Sequence, residues 1–407
     1  MKNHSDVLII GGGAAGLSAA LSASKQGAKA AVLEAAPRIG RKILASGNGR
    51  CNLANTGPLR YYGGAALAQR VMDQYPVSRV LSFFRGLGLE TVEEAGGRVY
   101  PACGQAAAVL DALRLALDRS RVNVVCGAPV TALRKTKDGF LADTPQGMYS
   151  ASAAVVACGG MAGGKLGHDG GAYALLTQLG HTLIPPRPAL TQLIGEKGAV
   201  RGLSGLRVPA LLTLCQGEKP LEAAQGEALF TDYGVSGVCA MQLSRRAGEL
   251  LDAGVRPTLY MDFSPMLGLV PRVYDRAAPG DPFKNLSIVR SCLEERRHIL
   301  PREALLTGLC PRLLSEKLRG MDLPDLARHL AAFPVPITGV RGMENAQVTR
   351  GGIREDEFSP DTLESKRCRN LFAAGEILNV DGDCGGFNVQ FAFASGLIAG
   401  QSAAEKR

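Results

Sequence analysis

Asp6-Val7-Leu8-Ile9-Ile10-Gly11-Gly12-Gly13-Ala14-Ala15-Gly16-Leu17 is the stretch on which the reading of this chain turns. Val7 to Ile10 form a short apolar, β-branched run, fit for a buried parallel strand. Gly11 to Gly16 follow as G-x-G-x-x-G, and Leu17, Ala20, Leu21, Ser24 and Ala28 recur at helical spacing. Lys29 to Leu33 make a second strand, closed by Glu34, 23 residues after Gly11. Each part has a mechanical task. Gly11 permits the tight turn, Gly13 lets backbone approach a pyrophosphate, and Gly16 lets helix pack closely on strand. Ala14 and Ala15 open the helix, whose N-terminal N–H groups face the phosphates. Glu34 accepts hydrogen bonds from ribose hydroxyls, which disfavours a 2′-phosphate there. Strand, turn, helix, strand and acid in this order define a dinucleotide half-site. Alone, it serves FAD and NAD equally well.

The rest of the composition narrows the field. At roughly 100–200 residues per domain, 407 residues predict two or three domains. A hydrophobic fraction of 46% with 20% charged residues belongs to a folded globular protein rather than a disordered one. The absence of Trp and the low aromatic content argue against a stacking platform for single-stranded nucleic acid. Ten cysteines without a C-x-x-C exclude a zinc ribbon and a thioredoxin-like pair, and suit a reducing cytoplasm. Residues 7–24 carry no charge, but Lys2 followed by Asp6 is a poor n-region, and three glycines interrupt the apolar run. A soluble cytoplasmic protein without a membrane partner is expected. The net charge is +9, and residues 1–60 hold eight Lys/Arg against two acids, beside the glycine loop where a phosphate wants them. A nucleic-acid partner is therefore not expected. Nothing in the sequence defines the oligomeric state.

The C-terminal stretch separates FAD from NAD. Asn370-Leu371-Phe372-Ala373-Ala374-Gly375-Glu376 reads as a buried strand ending in Gly and an acid. Asp381-Gly382-Asp383-Cys384-Gly385-Gly386-Phe387-Asn388-Val389 follows and opens a helix to about Ala404, apolar almost all round and so buried. Its N-terminus suits negative charge on a reduced flavin. The pattern resembles the second FAD motif of two-dinucleotide-binding-domain flavoproteins, in which the strand-end acid holds the ribitol chain. The fragment Ala153 to Gly160, with Ala157 and Gly159, resembles the strand and turn lining the cofactor in that group, and Val130 is expected beside it.

Gly40-Arg41-Lys42-Ile43-Leu44-Ala45-Ser46-Gly47-Asn48-Gly49-Arg50-Cys51-Asn52 resembles the G-R-K-x-x-x-S-G-x-G-R-C-N block of the BaiN/RdsA-like NAD(P)/FAD-dependent oxidoreductases, the YhiN-type, aminoacetone-oxidase-like flavoproteins. Leu229 to Gly237, Val348 to Ile353 and Leu363 to Lys366 agree with the same family. Asn48 and Cys384 depart from it, where Gly and Thr are expected. Arg41 and Lys42 are expected to reach the pyrophosphate or adenine ribose. Ser46, Gly47 and Gly49 form a small-residue loop able to approach a flat ring. Arg50, Cys51 and Asn52 are its catalytic candidates, although a packed thiol is the plainer reading of Cys51. The five histidines show no metal spacing, so no metal is expected, and His168 reads as a surface-loop residue. No His lies between residues 35 and 60, which favours noncovalent FAD.

The expected fold is α/β: a discontinuous Rossmann-like FAD-binding domain, residues 1–187 and 345–407, interrupted by an insert. Pro185-Pro186-Arg187-Pro188 marks the exit. Residues 188–280 read as β-rich, and residues 281–344 as a helical unit punctuated by Pro301, Pro311 and Pro324. The family implies a barrel-like insert, whose topology the weak strand alternation leaves open. The function expected is a flavin oxidoreductase passing hydride through N5, with NAD(P)H as transient donor and a small organic acceptor, as the resemblance implies. No second strand–GxGxxG–helix unit is present, so a separate nicotinamide domain is absent from the reading. An O₂-using amine oxidase and, more weakly, an RNA-associated flavoprotein are the alternatives.

Overall fold

The computed structural model describes residues 3–272 and 275–406. The chain forms two compact bodies, Met1–Arg187 with Val348–Arg407, and Pro188–Gln347. The first is built on five parallel strands, His4–Ile10 (β1), Ala30–Glu34 (β2), Asn123–Cys126 (β3), Gly147–Val156 (β4) and Leu371–Ala373 (β5). Their spatial order is β3-β2-β1-β4-β5. The register sets Ile10 beside Leu33 on one side and Val156 on the other, with Val156 beside Ala373. These carboxyl ends therefore open on one edge, and chain order reverses across β1, where an open parallel sheet forms its ligand crevice. β4 shares its second edge. Its end pairs with β5, while Gly147–Ala151 run antiparallel to the hairpin strand Gly139–Thr144.

Two helices brace this sheet. Ala14–Lys25 (α1) carries Ala15 and Ala19 toward Gly396 and Gly400 of the C-terminal helix Phe387–Ala404 (α2). A Cβ on Gly396 would lie 2.2 Å from the Ala15 carbonyl oxygen, and one on Gly400 2.1 Å from that of Ala19. Small residues thus bring two backbones into contact, and Ser22 Oγ donates across the crossing to Leu397 O at 2.7 Å. α2 is buried nearly all round, as its composition requires. No helix of the described residues is long and apolar enough to cross a membrane.

The second body is one unit, with the expected β-rich and helical parts sharing a single core. Six antiparallel strands close into a barrel: Leu193–Gly195, Arg207–Gln216, Lys219–Phe230, Gly234–Ser236, Thr258–Asp262 and Phe333–Val340. The closing pair is the long hairpin Arg207–Gln216 with Lys219–Phe230. Helices Leu286–Arg297 and Leu323–Ala331 bury Val289, Leu293, Leu326 and Leu330 in the same cluster as barrel residues Leu214, Leu259 and Val335. Alternation is weak because Ala210 to Cys215 are buried on both faces of their strand.

Candidate cofactor site

The glycine loop is formed as its spacing requires. Gly11 has φ +112°, and a Cβ there would lie 2.4 Å from the Ala157 carbonyl oxygen. One on Gly16 would meet Gly11 O at 1.8 Å. Gly13 is different: its Cβ direction meets nothing within 4 Å. The loop is therefore closed underneath at Gly11 and Gly16 and open at Gly13. The first bond back into α1 is Leu17 N–H to Gly13 O at 2.9 Å, so the amides of Ala14, Ala15 and Gly16 precede it. These residues fit a dinucleotide pyrophosphate.

Glu34 lies over the same loop. Its carboxylate accepts Gly12 N–H at 2.6 Å and Ala36 N–H at 2.7 Å, which fixes the acid at the end of β2 and leaves it half-exposed. Lys42 and Glu376, drawn from two separate motifs, form an ion pair at 3.0 Å. Glu376 also accepts Thr349 N–H at 2.8 Å and Gly160 N–H at 3.3 Å, and Lys42 donates to Gly160 O at 3.1 Å. Gly159 borders this pair. Arg41 instead donates to Lys165 O at 2.7 Å, and Val130 is half-buried against the core. Thr349 and Gly160 were not singled out from sequence, because their contribution is backbone N–H, which no residue type announces.

The second glycine turn opens α2. Gly386 has φ +104°, and Gln390 N–H makes the first bond back, to Gly386 O at 2.9 Å. The amides of Phe387, Asn388 and Val389 precede it. Asn388 locks the loop by exchanging two hydrogen bonds with Gly382, each 2.8 Å. Gly375 packs against Ala15, so β5 delivers Glu376 beside the start of α1. Asn55, also unanticipated, donates from Nδ2 to Gly385 O at 2.8 Å and from its backbone N–H to Gln390 Oε1 at 2.8 Å.

Ser46, Gly47 and Gly49 lie in an exposed turn, with Ser46 Oγ donating to Ile43 O at 2.7 Å. The three catalytic candidates diverge beyond it. Cys51 is wholly buried, and burial pushes its thiol up to about 11 against the opposing hydrogen bond of Ser46. It is a neutral, packed thiol at neutral pH. Arg50 turns outward to Glu94 and lies over the Tyr100 ring, 4.1 Å from its centroid. Asn52 is buried beside Gly386, its Oδ1 without a hydrogen-bond partner. The surface reading of His168 is corrected. Its ring accepts Gly170 N–H on Nδ1 at 2.9 Å, so Nε2–H donates to Gly159 O at 3.0 Å. Burial holds it below the usual histidine range, and it staples the turn after β4.

The comparisons agree with this architecture. The HI0933-like protein Rossmann domain matches residues 5–402. A 3-dehydro-bile acid delta(4,6)-reductase from Clostridium scindens is 37% identical over 415 aligned positions, covering 98% of each chain. A ribosomal RNA dihydrouridine synthase from Escherichia coli is 27% identical, covering 97% of each. Among solved structures, a 3-ketosteroid delta1-dehydrogenase from Sterolibacterium denitrificans covers 100% of both chains with a TM-score of 0.52 at 12% identity, a likeness of fold. With a dinucleotide crevice of this geometry and a family match across nearly its whole length, the chain belongs to the HI0933-like family of Rossmann-type, FAD-dependent oxidoreductases with a β-barrel-containing insert.

Proposed function

We propose that this chain is a reductase that takes hydride from NAD(P)H and delivers it to a carbon–carbon double bond conjugated with a carbonyl in a small organic acceptor. The observation that carries the reading is 37% identity, over 98% of both chains, to a protein named as a reductase of 3-dehydro-bile acids. FAD, when bound, supplies two-electron chemistry at N5. The residues supply its position. The loop at Gly13 would hold pyrophosphate, Glu34 the adenine ribose, and the amides at the start of α2 would favour negative charge on the ring. Glu376 would meet the ribitol chain while Lys42 neutralises it. Nicotinamide visits transiently, since no second glycine fingerprint exists to retain it.

The test is anaerobic. The purified yellow protein is mixed with NADH or NADPH, then with a 3-oxo-Δ4 steroid, and finally with air. Flavin bleaching by nicotinamide and recovery on adding the steroid support the reading. Recovery only with air, after reduction by a primary amine, supports an amine oxidase. The 27% identity to a ribosomal RNA dihydrouridine synthase motivates one further arm, since uridine also carries a double bond conjugated with a carbonyl. Reoxidation by ribosomal RNA but not by the steroid would assign RNA as the acceptor.

A further inference from the structure

The barrel body carries a cleft of its own. It lies where residues 281–285 meet the first turns of helices Leu286–Arg297 and Leu323–Ala331, and its volume is about 610 Å³. One wall is a stack of flat groups. The Arg328 guanidinium lies over the Phe283 ring, 4.8 Å from its centroid, and the Tyr260 ring centroid stands 5.6 Å from that of Phe283. This wall is fixed from behind. Phe283 N–H donates to Asp281 Oδ1 at 2.9 Å, and Asn285 Nδ2 ties the loop to the buried Asp262 carboxylate at 2.6 Å.

The charges around the wall face one another without pairing. Asp325 lies one helical turn before Arg328, yet neither side chain makes a hydrogen bond or ion pair with a described residue, and Arg328 meets the Phe283 ring instead. The Lys284 ammonium makes none either, and Arg290 commits only Nε, to Glu294 at 2.9 Å. A simple anion would answer these cations and strand the acids, and a simple cation would do the reverse. A ligand that serves both carries an anion, N–H donors and a flat ring for the guanidinium plane. The cleft falls within the range of about 300–1,000 Å³ typical of sites for organic molecules. We infer that it binds an aminopurine nucleotide, with the base on Arg328, the exocyclic amine against Asp281 or Asp325, and the phosphate on Lys284 and Arg290. A free nucleotide and the adenosine half of a dinucleotide present the same chemistry.

The test titrates AMP calorimetrically into protein saturated with FAD, so that the flavin site does not respond. The wild type should bind AMP with a Kd below about 1 mM. Adenosine, which lacks the phosphate, and IMP, which lacks the amine, should each bind about tenfold or more weakly. Lys284→Gln should weaken AMP about tenfold and leave adenosine unchanged, whereas Arg328→Gln should weaken both, because both stack. The two side chains are exposed, so melting temperature and flavin content should match the wild type. Competition by NADP⁺ as strong as that by AMP identifies a dinucleotide as the source, and competition by AMP alone a free nucleotide. A Kd for AMP above about 1 mM overturns the assignment. So does equal affinity for AMP and adenosine or for AMP and IMP, or binding undiminished in either variant. The reductase reading is decided separately, by flavin reoxidation.

Discussion

Lys42 and Glu376 stand 334 residues apart in the chain and 3.0 Å apart in the structure. The pair joins the block after β2 to the acid that follows β5, and Glu376 gathers two backbone N–H groups as well. A partly buried pair with added hydrogen bonds is worth more than an exposed one, though still little beside the cost of stranding one partner. Lys42→Met and Glu376→Gln should each lower thermal stability, and the double variant should lose less than their sum, by about 1 kcal/mol. Denaturant titration of the four proteins measures this. Strictly additive losses would show two independent residues.

Gly13→Val should empty the protein of flavin, whereas Cys51→Ser should leave occupancy near the wild type. Gly13 has open space in its Cβ direction, where a branched side chain would stand in the way of a pyrophosphate, while Cys51 is sealed in the core. The ratio of flavin to protein absorbance compares them. Equal occupancy would mean that the phosphates lie elsewhere.

FAD should be held without a covalent bond. Acid precipitation should release the yellow colour to the supernatant as FAD, since in the function proposed above the two glycine turns would take opposite ends of that molecule. Colour retained in the pellet, or FMN in the supernatant, contradicts this.

Flavin reduction by NAD(P)H should rise linearly to high concentration in stopped-flow mixing. A donor without its own glycine loop saturates late. Early saturation, in the micromolar range, would reveal a dedicated nicotinamide site.

His181 should make the protein lose stability in mild acid. Its Nδ1 is 3.0 Å from Glu357 Oε2, and its Nε2 is 3.0 Å from Ser365 Oγ. Ser365 Oγ already accepts N–H from Arg367 and Cys368, so it donates to Nε2, and the neutral Nδ1–H form bonds to Glu357. Burial holds His181 below the usual histidine range, against the opposing pull of Glu357. Burial alone would raise Glu357, yet the Thr182 and His181 hydrogen bonds and the charge of Arg367 hold it low. A base whose folded pKa is depressed contributes stability above its unfolded value, near 6.5, and loses it as pH falls below that point. Thermal melts from pH 8 to 5 should decline from about 6.5 downward, and His181→Gln should make that decline shallower, leaving the share of the similarly depressed His168. An unchanged slope in the variant would place the titrating group elsewhere.

The legibility of this protein divides along the range of its interactions. The strand–glycine–helix unit from Asp6 to Glu34 and the helix from Phe387 could be read directly, because a turn, a helix start and a buried apolar face are set by residues within a few positions of one another. Family membership followed from blocks of the same local kind. Roles within those blocks did not follow. Arg41 and Lys42 are neighbours with the same charge, yet one meets Lys165 O and the other Glu376. Arg50 was a candidate for the flavin face until the fold brought Glu94 to it. The histidine of the Ser365–His181–Glu357 chain carries no motif at all. The barrel closed through a hairpin whose buried residues face core on both sides, so no alternation marked its strands. Local spacing decides which element forms and where a helix begins. Which charged group finds which partner depends on chain closure over hundreds of residues, and only the packed tertiary structure, where desolvation penalises every unpaired choice, selects one arrangement.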